Sequence, residues 1–200
     1  TPLNVVLGYI DLLLDHSFGP LEPAQRDILH RITKNASNLS HLINDLLDLS
    51  RIEAGRLRIE MAAVPLEPLF ADLSAVMTVL LAGHDVTFSA EIATPGTAVR
   101  ADPNRLKQIV SNLLVNAVKF TERGSIALRA EVASPGRVAV SVTDTGIGIP
   151  VGEQRAIFEP FRQADGGERR AAGAGIGLSI AARLATLMGG ELGVTSAPGQ

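Results

Sequence analysis

The chain has 200 residues, enough for one or two domains, and 46% of them are hydrophobic, which excludes a disordered protein. Its net charge is −3 and no region is strongly basic, so the sequence argues against a protein that binds nucleic acid. It contains no cysteine, which excludes disulfides and thiolate chemistry and fits a reducing, cytoplasmic compartment.

Two helices are predicted in residues 1–58. The first covers residues 3–14, with apolar residues at steps of four and three, and ends at the glycine and prolines of 17–23. The second covers about 23–54, and its heptad seam consists of Ile32, Ala36, Leu39, Ile43 and Leu46. Further leucines widen this face, so the helix needs more than one partner. The pattern predicts a dimerisation hairpin, half of a four-helix bundle in a homodimer, and the alternative is a hairpin that caps the second domain.

Residues 59–200 are predicted to form an α+β domain, in which helices cover a mixed sheet. The expected helices cover 66–82, 103–120, 152–158 and 176–188, and the expected strands cover 86–92, 126–132, 138–142 and 191–196. Asp102 is suited to cap the second of these helices, with Pro103 at its first position. The Ser-Pro-Gly turn at 134–136 predicts a hairpin between the second and third strands.

No segment of the sequence is predicted to cross a membrane. The longest largely apolar stretch, 73–82, is interrupted by Ser74 and Thr78 and is too short for a bilayer, so we expect no direct membrane contact. The chain begins with Thr-Pro-Leu and not with methionine, and residues 197–200 are typical of a turn before a further strand. We therefore expect a fragment of a longer protein, whose attachment to a membrane stays open.

The helix at 103–120 carries a polar stripe on an otherwise apolar surface. Asn112, Asn116 and Lys119 follow one another at steps of four and three, so they share one face. An asparagine oxygen suits a hard cation such as Mg²⁺, and a lysine supplies a point charge for phosphate. A solvated helix face is the simpler interpretation of this stripe taken alone.

Two glycine-rich segments follow this helix. Asp144 closes a strand, where its carboxylate can accept hydrogen bonds from a ligand, and Gly146 and Gly148 let the backbone approach that ligand. The segment Gly-Ala-Gly-Ile-Gly-Leu at 173–178 opens a helix, where free N–H groups can bind an anion. It is not a Rossmann fingerprint, because no strand precedes it, and it is not a Walker loop, because no Gly-Lys-Ser/Thr follows. Each segment alone is compatible with an ordinary tight turn.

A fourth cluster, Phe-Glu-Pro-Phe at 158–161, lies between the two glycine segments. It precedes a polar stretch, 162–172, which includes Arg169 and Arg170. The two phenylalanines can anchor a segment that orders over a nucleotide as a lid, and the two arginines can reach phosphate. The alternative is a disordered loop with packed aromatic residues at its root.

In this order and at these spacings, the four clusters resemble the N box, first glycine box, F box and second glycine box of bacterial sensor histidine kinases. The segment 46–55, Leu-Leu-Asp-Leu-Ser-Arg-Ile-Glu-Ala-Gly, resembles the end of their dimerisation domain. The resemblance spans essentially all 200 residues. It implies a dimerisation hairpin at 1–58 and, at 59–200, a Bergerat-type sandwich that binds ATP. The γ-phosphoryl group would pass to a histidine and then to an aspartate of a response-regulator receiver domain.

The resemblance implies a role for each matching residue of the N box. Asn116 would hold Mg²⁺ through its side-chain oxygen, and Asn112 would lie near the phosphates or assist that metal. Lys119 would contact phosphate, and Phe120 would pack near the base or the ribose. These roles make Asn116 and Lys119 the expected catalytic residues of the fragment.

The resemblance also implies roles for the two glycine boxes. Asp144 would accept the adenine amino group and so select adenine over guanine, with Gly146 and Gly148 at the border of the adenine pocket. The residues that would close over the phosphates are Gly173, Gly175, Gly177 and Leu178. Ala174 departs from the family, which has a threonine there. One lost neutral hydrogen bond is worth about 0.5–1.5 kcal/mol, so we expect weaker nucleotide binding and not its abolition.

The first three residues resemble the end of the family's phosphoacceptor motif, His-Glu-x-Arg-Thr-Pro-Leu. The acceptor histidine would precede Thr1, so we expect that these 200 residues lack it and cannot autophosphorylate. Thr1 matches a position that in relatives orients water for dephosphorylation of the response regulator. The histidines that are present have no glutamate beside them and no metal-ligand spacing: His16, His30, His41 and His84. We expect them to be surface or bundle residues.

Two other functions stay open at this point. One is a nucleotide-sensing pseudokinase or scaffold that acts through its dimerisation helices, since the deciding histidine lies outside the sequence. The other is a different ATPase of the same superfamily, such as a gyrase, mismatch-repair or heat-shock chaperone domain. The F box and the preceding helical hairpin argue against this second alternative.

Overall fold

The computed structural model describes residues 2–15, 17–162 and 175–199, and the chain divides into two units, Thr1–Arg56 and Leu57–Gln200. The sequence predicts the boundary two residues later, after residue 58. Thr1, His16 and residues 163–174, which include Arg169, Arg170, Gly173 and Ala174, lie outside the described residues. In the described part of the chain, no helix is long and apolar enough to cross a membrane.

The first unit consists of two helices, α1 (Pro2–Leu14) and α2 (Pro23–Glu53), as the apolar periodicity predicts. At the start of α2, the backbone N–H of Glu22 donates to the side-chain oxygen of Gln25 at 3.0 Å. Gly55 follows α2 with a φ of +63°, which glycine adopts without strain. In this single chain the large side chains of the predicted seam are exposed: Ile32, Leu39, Ile43 and Leu46. The seam is therefore open to a further helical surface.

The second unit combines helices with a mixed sheet. Its strands are β1 (Ala62–Pro65), β2 (Asp85–Ile92), β3 (Ala98–Ala101), β4 (Arg123–Ser134) and β5 (Arg137–Asp144). Its α-helices are α3 (Leu66–Leu80), α4 (Pro103–Phe120) and α5 (Gly177–Leu187). The sheet has the order β2-β4-β5, with β2 parallel to β4 and β4 antiparallel to β5, while β1 and β3 form a separate antiparallel pair. The predicted fold class, a helical hairpin followed by an α/β domain with a mixed sheet, is confirmed.

Apolar side chains of α3, α4 and β4 form the core of the second unit. The buried members are Leu66, Leu69, Phe70, Leu73, Met77, Val110, Leu114, Ala117, Ile126, Leu128 and Ala130. In β4 the buried residues alternate with the exposed Arg129 and Glu131, as the period-two pattern predicts. Because this core holds one face of α4 against the sheet, it fixes the position of the polar stripe on the same helix.

Three details differ from the expectations. The strand expected at 191–196 is wrong: residues 191–197 form none, and Ser196 and Gly199 instead hydrogen-bond to the loop at 147–154. The helix expected at 152–158 is reduced to a 3₁₀ turn at Ala156–Phe158. Gly152 before it and Pro160 after it disfavour a longer helix. The pair β1–β3 was not expected, because four-residue strands are too short to show a clear period.

Candidate functional site

Asp102 fixes the start of α4, the helix that carries the N box. Its carboxylate accepts hydrogen bonds from the backbone N–H groups of Asn104 (3.0 Å), Arg105 (3.2 Å) and Glu60 (3.0 Å). Burial favours the neutral form of Asp102, but these hydrogen bonds and the charge of Arg105 outweigh it, so the pKa of Asp102 lies below its ordinary value. Asp102 therefore stays ionised and holds α4 to the segment that leads into β1.

The polar stripe of α4 lies beside the start of α5. The side-chain nitrogen of Asn112 donates a hydrogen bond to the carbonyl oxygen of Gly177 at 3.2 Å. A Cβ on Gly177 would be in ordinary contact with the Asn112 side chain, at 3.5 Å. Asn116, one turn further along α4, is half-buried. The structure thus brings the N box and the second glycine segment together, with Asn112 as the direct link between them.

Lys119 and Phe120 form a pair at the end of α4. The Lys119 ammonium lies 4.9 Å from the centre of the Phe120 ring, within the range of a cation–π attraction. Partial burial of the ammonium lowers the pKa of Lys119. The Phe120 ring is 38% exposed, so both side chains remain accessible to a ligand.

Asp144 is the last residue of β5, and one of its carboxylate oxygens is already engaged. Oδ1 accepts a hydrogen bond from the backbone N–H of Gly146 at 2.9 Å and a longer one from the Thr121 hydroxyl at 3.4 Å. Thr121 is 2% exposed, so its hydroxyl is fixed in the interior of the second unit. These bonds orient the carboxylate through Oδ1.

The turn after Asp144 has no room for side chains at its two glycines. A Cβ on Gly146 would lie 2.5 Å from the carbonyl oxygen of Phe120, and one on Gly148 would overlap the carbonyl oxygen of Ala197. Gly148 also has a φ of +70°, a conformation that L-residues with side chains rarely adopt. Both glycines of the first glycine box are therefore required by close packing, in addition to any ligand.

The second glycine segment (173–178) is hydrogen-bonded to the F box (158–161). The backbone N–H of Phe161 donates to the carbonyl oxygen of Gly175 at 3.0 Å, and a Cβ on Gly175 would lie 2.5 Å from the carbonyl oxygen of Arg162. Gly175 has a φ of +67° and Phe161 a φ of +64°, which is unusual for an aromatic residue. Gly177 and the half-buried Leu178 form the first turn of α5, where backbone N–H groups can face an anion.

The sequence did not single out Thr121, Gln154 or Ser196. Thr121 bonds to the Asp144 carboxylate, whereas Gln154 and Ser196 bond to backbone groups near it. Thr121 is distinguished by being a polar residue that is buried, and burial of a single polar residue cannot be read from a sequence pattern. His30, His41 and His84 are exposed, which agrees with the expectation of surface residues. Across the described ranges, no group of three His, Cys, Asp or Glu side chains is arranged to hold a metal ion.

Two protein families match this chain. Residues 101–200 match the family described as histidine kinase-, DNA gyrase B-, and HSP90-like ATPase. Residues 1–55 match the His Kinase A (phospho-acceptor) domain. The two matches follow the order of the hairpin and the α/β domain in the structure, with residues 56–100 between them.

Individual relatives align with nearly the whole chain. The chain is 41% identical over 208 residues to the signal transduction histidine-protein kinase BarA of Escherichia coli, covering 99% of this chain and 22% of BarA. It is 40% identical over 207 residues to the sensor protein GacS of Pseudomonas syringae, covering 100% of this chain and 22% of GacS. The chain thus spans about a fifth of the length of these relatives.

Solved structures share the fold. The crystal structure of full-length ShkA in complex with AMPPNP matches with a TM-score of 0.80 and 35% identity, over 100% of this chain and 41% of ShkA. The Acinetobacter baumannii histidine kinase AdeS matches with a TM-score of 0.64 and 22% identity, over 93% of this chain and 84% of AdeS. At that lower identity, the second match supports the fold alone.

Proposed function

Because the chain belongs to the bacterial sensor histidine kinases, we propose that its second unit binds ATP with Mg²⁺ and donates the γ-phosphoryl group to a histidine. In the whole protein that histidine would lie on the helical hairpin. The phosphoryl group would then pass to an aspartate of a response-regulator receiver domain. Asp144 is the residue that carries this proposal.

The arrangement around Asp144 suits recognition of an adenine base. Its Oδ1 is held by Gly146 and Thr121, so the carboxylate presents Oδ2 as a fixed acceptor. The exocyclic amino group of adenine is a donor, whereas guanine has a carbonyl oxygen at that position, which a carboxylate would repel. The exposed part of Phe120, next to the same turn, would pack on the base or the ribose.

The phosphate end of the nucleotide would lie between α4 and the first turn of α5. Lys119 supplies a positive charge there, and the first N–H groups of α5, with Gly175, Gly177 and Leu178, supply donors. Gly173 belongs to the same proposed set. Asn112 bonds to Gly177, so we assign it the role of holding the two helices together beside the phosphates.

The donor set fits Mg²⁺ that is shared with a nucleotide. Mg²⁺ usually has one or two protein ligands together with substrate phosphates and water, and it does not need a protein cage. The half-buried Asn116 offers one amide oxygen, and in the described residues no acidic cluster competes with it. When bound there, the ion would neutralise phosphate charge during transfer.

The phosphoacceptor is proposed to be none of the four histidines in these 200 residues. None of them is followed by glutamate, and those that the structure describes are exposed on α2 or in the loop before β2. The 200-residue chain alone is therefore expected to bind ATP without retaining phosphate. Thr1 would contribute to dephosphorylation of the response regulator, by the resemblance of its position.

The first unit is proposed to form a homodimer through α2. The exposed seam residues Leu39, Ile43 and Leu46 lie on one face at heptad spacing, which is the pattern of a helix that packs against other helices. Two hairpins joined in this way bury the seam in a four-helix bundle. The response-regulator receiver domain would be the second protein partner.

The test is ATP binding by the 200-residue chain and by Asp144→Asn, measured by isothermal titration calorimetry with Mg²⁺. Asparagine keeps an acceptor for the Gly146 N–H but replaces Oδ2 by an NH₂ group, which faces the adenine amino group as a second donor. We expect the Kd to rise about 10- to 100-fold, as for loss of a hydrogen bond to a charged group. Equal binding by both proteins would contradict the assignment of Asp144.

Labelled ATP separates the kinase from its alternatives. We expect no acid-labile label on the 200-residue chain and label on a histidine of the whole protein. Steady ATP hydrolysis without any phosphoprotein would favour a different ATPase of the superfamily. ATP binding by a whole protein that is never phosphorylated would favour the scaffold.

A further inference from the structure

The turn formed by Gly146, Ile147, Gly148 and Ile149 is held between two segments of the chain. On one side, the backbone N–H of Ile147 donates to the carbonyl oxygen of Phe120 at 3.3 Å. On the other side, the backbone N–H of Ile149 donates to the hydroxyl oxygen of Ser196 at 2.9 Å, and Gly199 N–H donates to the Ile147 carbonyl at 3.0 Å. The turn therefore cannot shift towards either segment without breaking a hydrogen bond to the other.

One side chain joins the turn to residues 196–199. The amide nitrogen of Gln154 donates to the carbonyl oxygens of Ile149 at 3.0 Å and Ser196 at 2.7 Å. Gln154 and Ser196 are both half-buried, so water competes only partly for these bonds. A single carboxamide thus bridges two backbone segments that are 47 positions apart, the separation of Ile149 and Ser196.

The packing at Gly148 shows how closely the two segments approach. A side chain at Gly148 would overlap the Ala197 carbonyl, so the turn and residues 196–199 are in direct backbone contact. Gly146, at the other end of the turn, donates the N–H that orients Asp144. The position of residues 196–199 is consequently linked through the turn to the carboxylate of the proposed adenine site.

We propose that Gln154 and Ser196 are positioning residues of the nucleotide site: they press the turn at 146–149 against Phe120 and so fix the base end of the pocket. The ligand they serve is an adenine nucleotide, and the proposal therefore rests on the proposed function. Their hydrogen bonds reach the turn at Ile149, so their effect on the nucleotide would pass through the Gly146 N–H and Asp144.

The experiment measures the Kd of AMP and of ATP with Mg²⁺ for the 200-residue chain and its variants. We call the hydrogen bonds of Gln154 and Ser196 to the turn and to each other the brace. Gln154→Ala removes two hydrogen bonds from it, and we expect the Kd to rise about 5- to 20-fold. Ser196→Ala removes one, with an expected rise of about 2- to 10-fold. Because the brace acts at the base end, AMP and ATP should weaken by the same factor, whereas loss of a phosphate contact would affect ATP more.

Two variants serve as matched controls for Ser196→Ala. Ser196→Thr keeps the hydroxyl acceptor for the Ile149 N–H and should restore the wild-type Kd. Thr195→Ala removes an exposed hydroxyl one residue away and should leave both affinities unchanged. If Gln154→Ala does not fold, the difference between Ser196→Ala and Ser196→Thr decides the question.

The possible outcomes separate this proposal from the proposed function. If the wild-type chain binds ATP and the Ser196→Ala and Gln154→Ala variants bind equally well, the positioning role is wrong while the nucleotide site stands. A lower melting temperature with unchanged affinities also overturns it, because the brace would then be only structural. A rise in the Kd of ATP without a rise in the Kd of AMP would show that Gln154 and Ser196 do not act at the base end of the pocket. If the wild-type chain binds no nucleotide, both proposals fail.

Discussion

The two units of this chain differ in where they place their apolar side chains. In the second unit, residues of α3, α4 and β4 enclose one another, and Leu128 is 1% exposed. In the first unit, the large apolar residues of the α2 seam stay at the surface of the single chain, and Leu46 is 53% exposed. The second unit therefore has its own core, whereas the first needs a further helical surface to bury its seam.

This difference follows from the geometry of the elements. A sheet covered by helices has two layers in one chain, so its apolar faces can meet inside a single domain. A hairpin of two helices has only one inter-helix groove, and an apolar face as wide as that of α2 extends beyond it. The same hydrophobic periodicity thus predicts a closed core in one unit and an open interface in the other.

The largest expected effect comes from removing a buried leucine of the second unit. Leu128→Ala should lower the free energy of unfolding of that unit by about 2–5 kcal/mol, because it removes buried methyl groups and leaves a cavity. Urea unfolding followed by circular dichroism and by ATP binding measures the change. The matched change in the first unit is Leu46→Ala, which should cost less than about 1 kcal/mol in the monomer.

Equal losses of unfolding free energy in Leu128→Ala and Leu46→Ala would contradict the view that the second unit buries its core within one chain while the α2 seam of the first stays exposed. The experiment needs a protein concentration low enough to keep the chain monomeric. At high concentration, the Leu46→Ala loss should grow, because the leucine would then be buried in the proposed dimer.

A second prediction concerns the seam itself. Leu46→Asp should weaken dimerisation about 100-fold or more, since a carboxylate would be buried without a partner. Light scattering after size-exclusion chromatography would show a monomer where the wild type is a dimer. Val79→Asp, at an exposed apolar position of α3 in the second unit, should leave the dimer intact. A dimer that survives Leu46→Asp would place the interface elsewhere.

Long elements with a strong period were predictable from the sequence in both units. The seam of α2, the Asp102 cap of α4 and the alternation along β4 each follow from local rules, and the structure has all three. The strand expected at 191–196 is wrong because this segment bonds to the loop at 147–154 through Ser196, a contact that no local pattern shows. β1 and β3 were missed because each is only four residues long and pairs with residues more than 30 positions away in the chain, as Val64 does with Val99.

The candidate site was predictable only in part. Asp144, Gly146 and Gly148 attract notice through their order with the other three clusters, since a carboxylate and glycines at a strand end are by themselves compatible with a tight turn. Gln154 and Ser196 do not, since a glutamine in a polar loop is ordinary until the fold brings Ser196 beside it. The sequence thus indicates groups that are proposed to face a ligand, whereas groups that hold the backbone behind them become visible only in three dimensions.

The helix starts give a third, smaller contrast between the units. Asp102→Ala should destabilise the second unit by roughly 1–3 kcal/mol, because α4 loses its cap and the Glu60 N–H loses its acceptor. Gln25→Ala in the first unit removes one exposed hydrogen bond and should cost at most about 1 kcal/mol. Thermal or urea unfolding of each unit measures both changes.

The contribution of Asp102 to the free energy of unfolding of the second unit should also depend on pH. Its pKa is lowered in the folded state from the ordinary value of 3.8, so its stabilising effect is complete above that value. As the pH falls below 3.8, the unfolded chain binds a proton first, and the difference between wild type and Asp102→Ala should shrink. A difference that grows on acidification would contradict the cap as the cause.

The smallest expected effects are those of exposed ion pairs, and here the two units should not differ. Lys107 pairs with Asp72 at 2.7 Å between α4 and α3, and Arg31 pairs with Asp27 at 3.1 Å within α2. All four side chains are largely hydrated, so Asp72→Ala and Asp27→Ala should each cost at most about 1 kcal/mol. Raising the salt concentration from 0.05 to about 0.5 M should reduce both costs through screening. If Asp72→Ala instead cost as much as Leu128→Ala and did so at every salt concentration, then burial of apolar surface would not be what separates the two units.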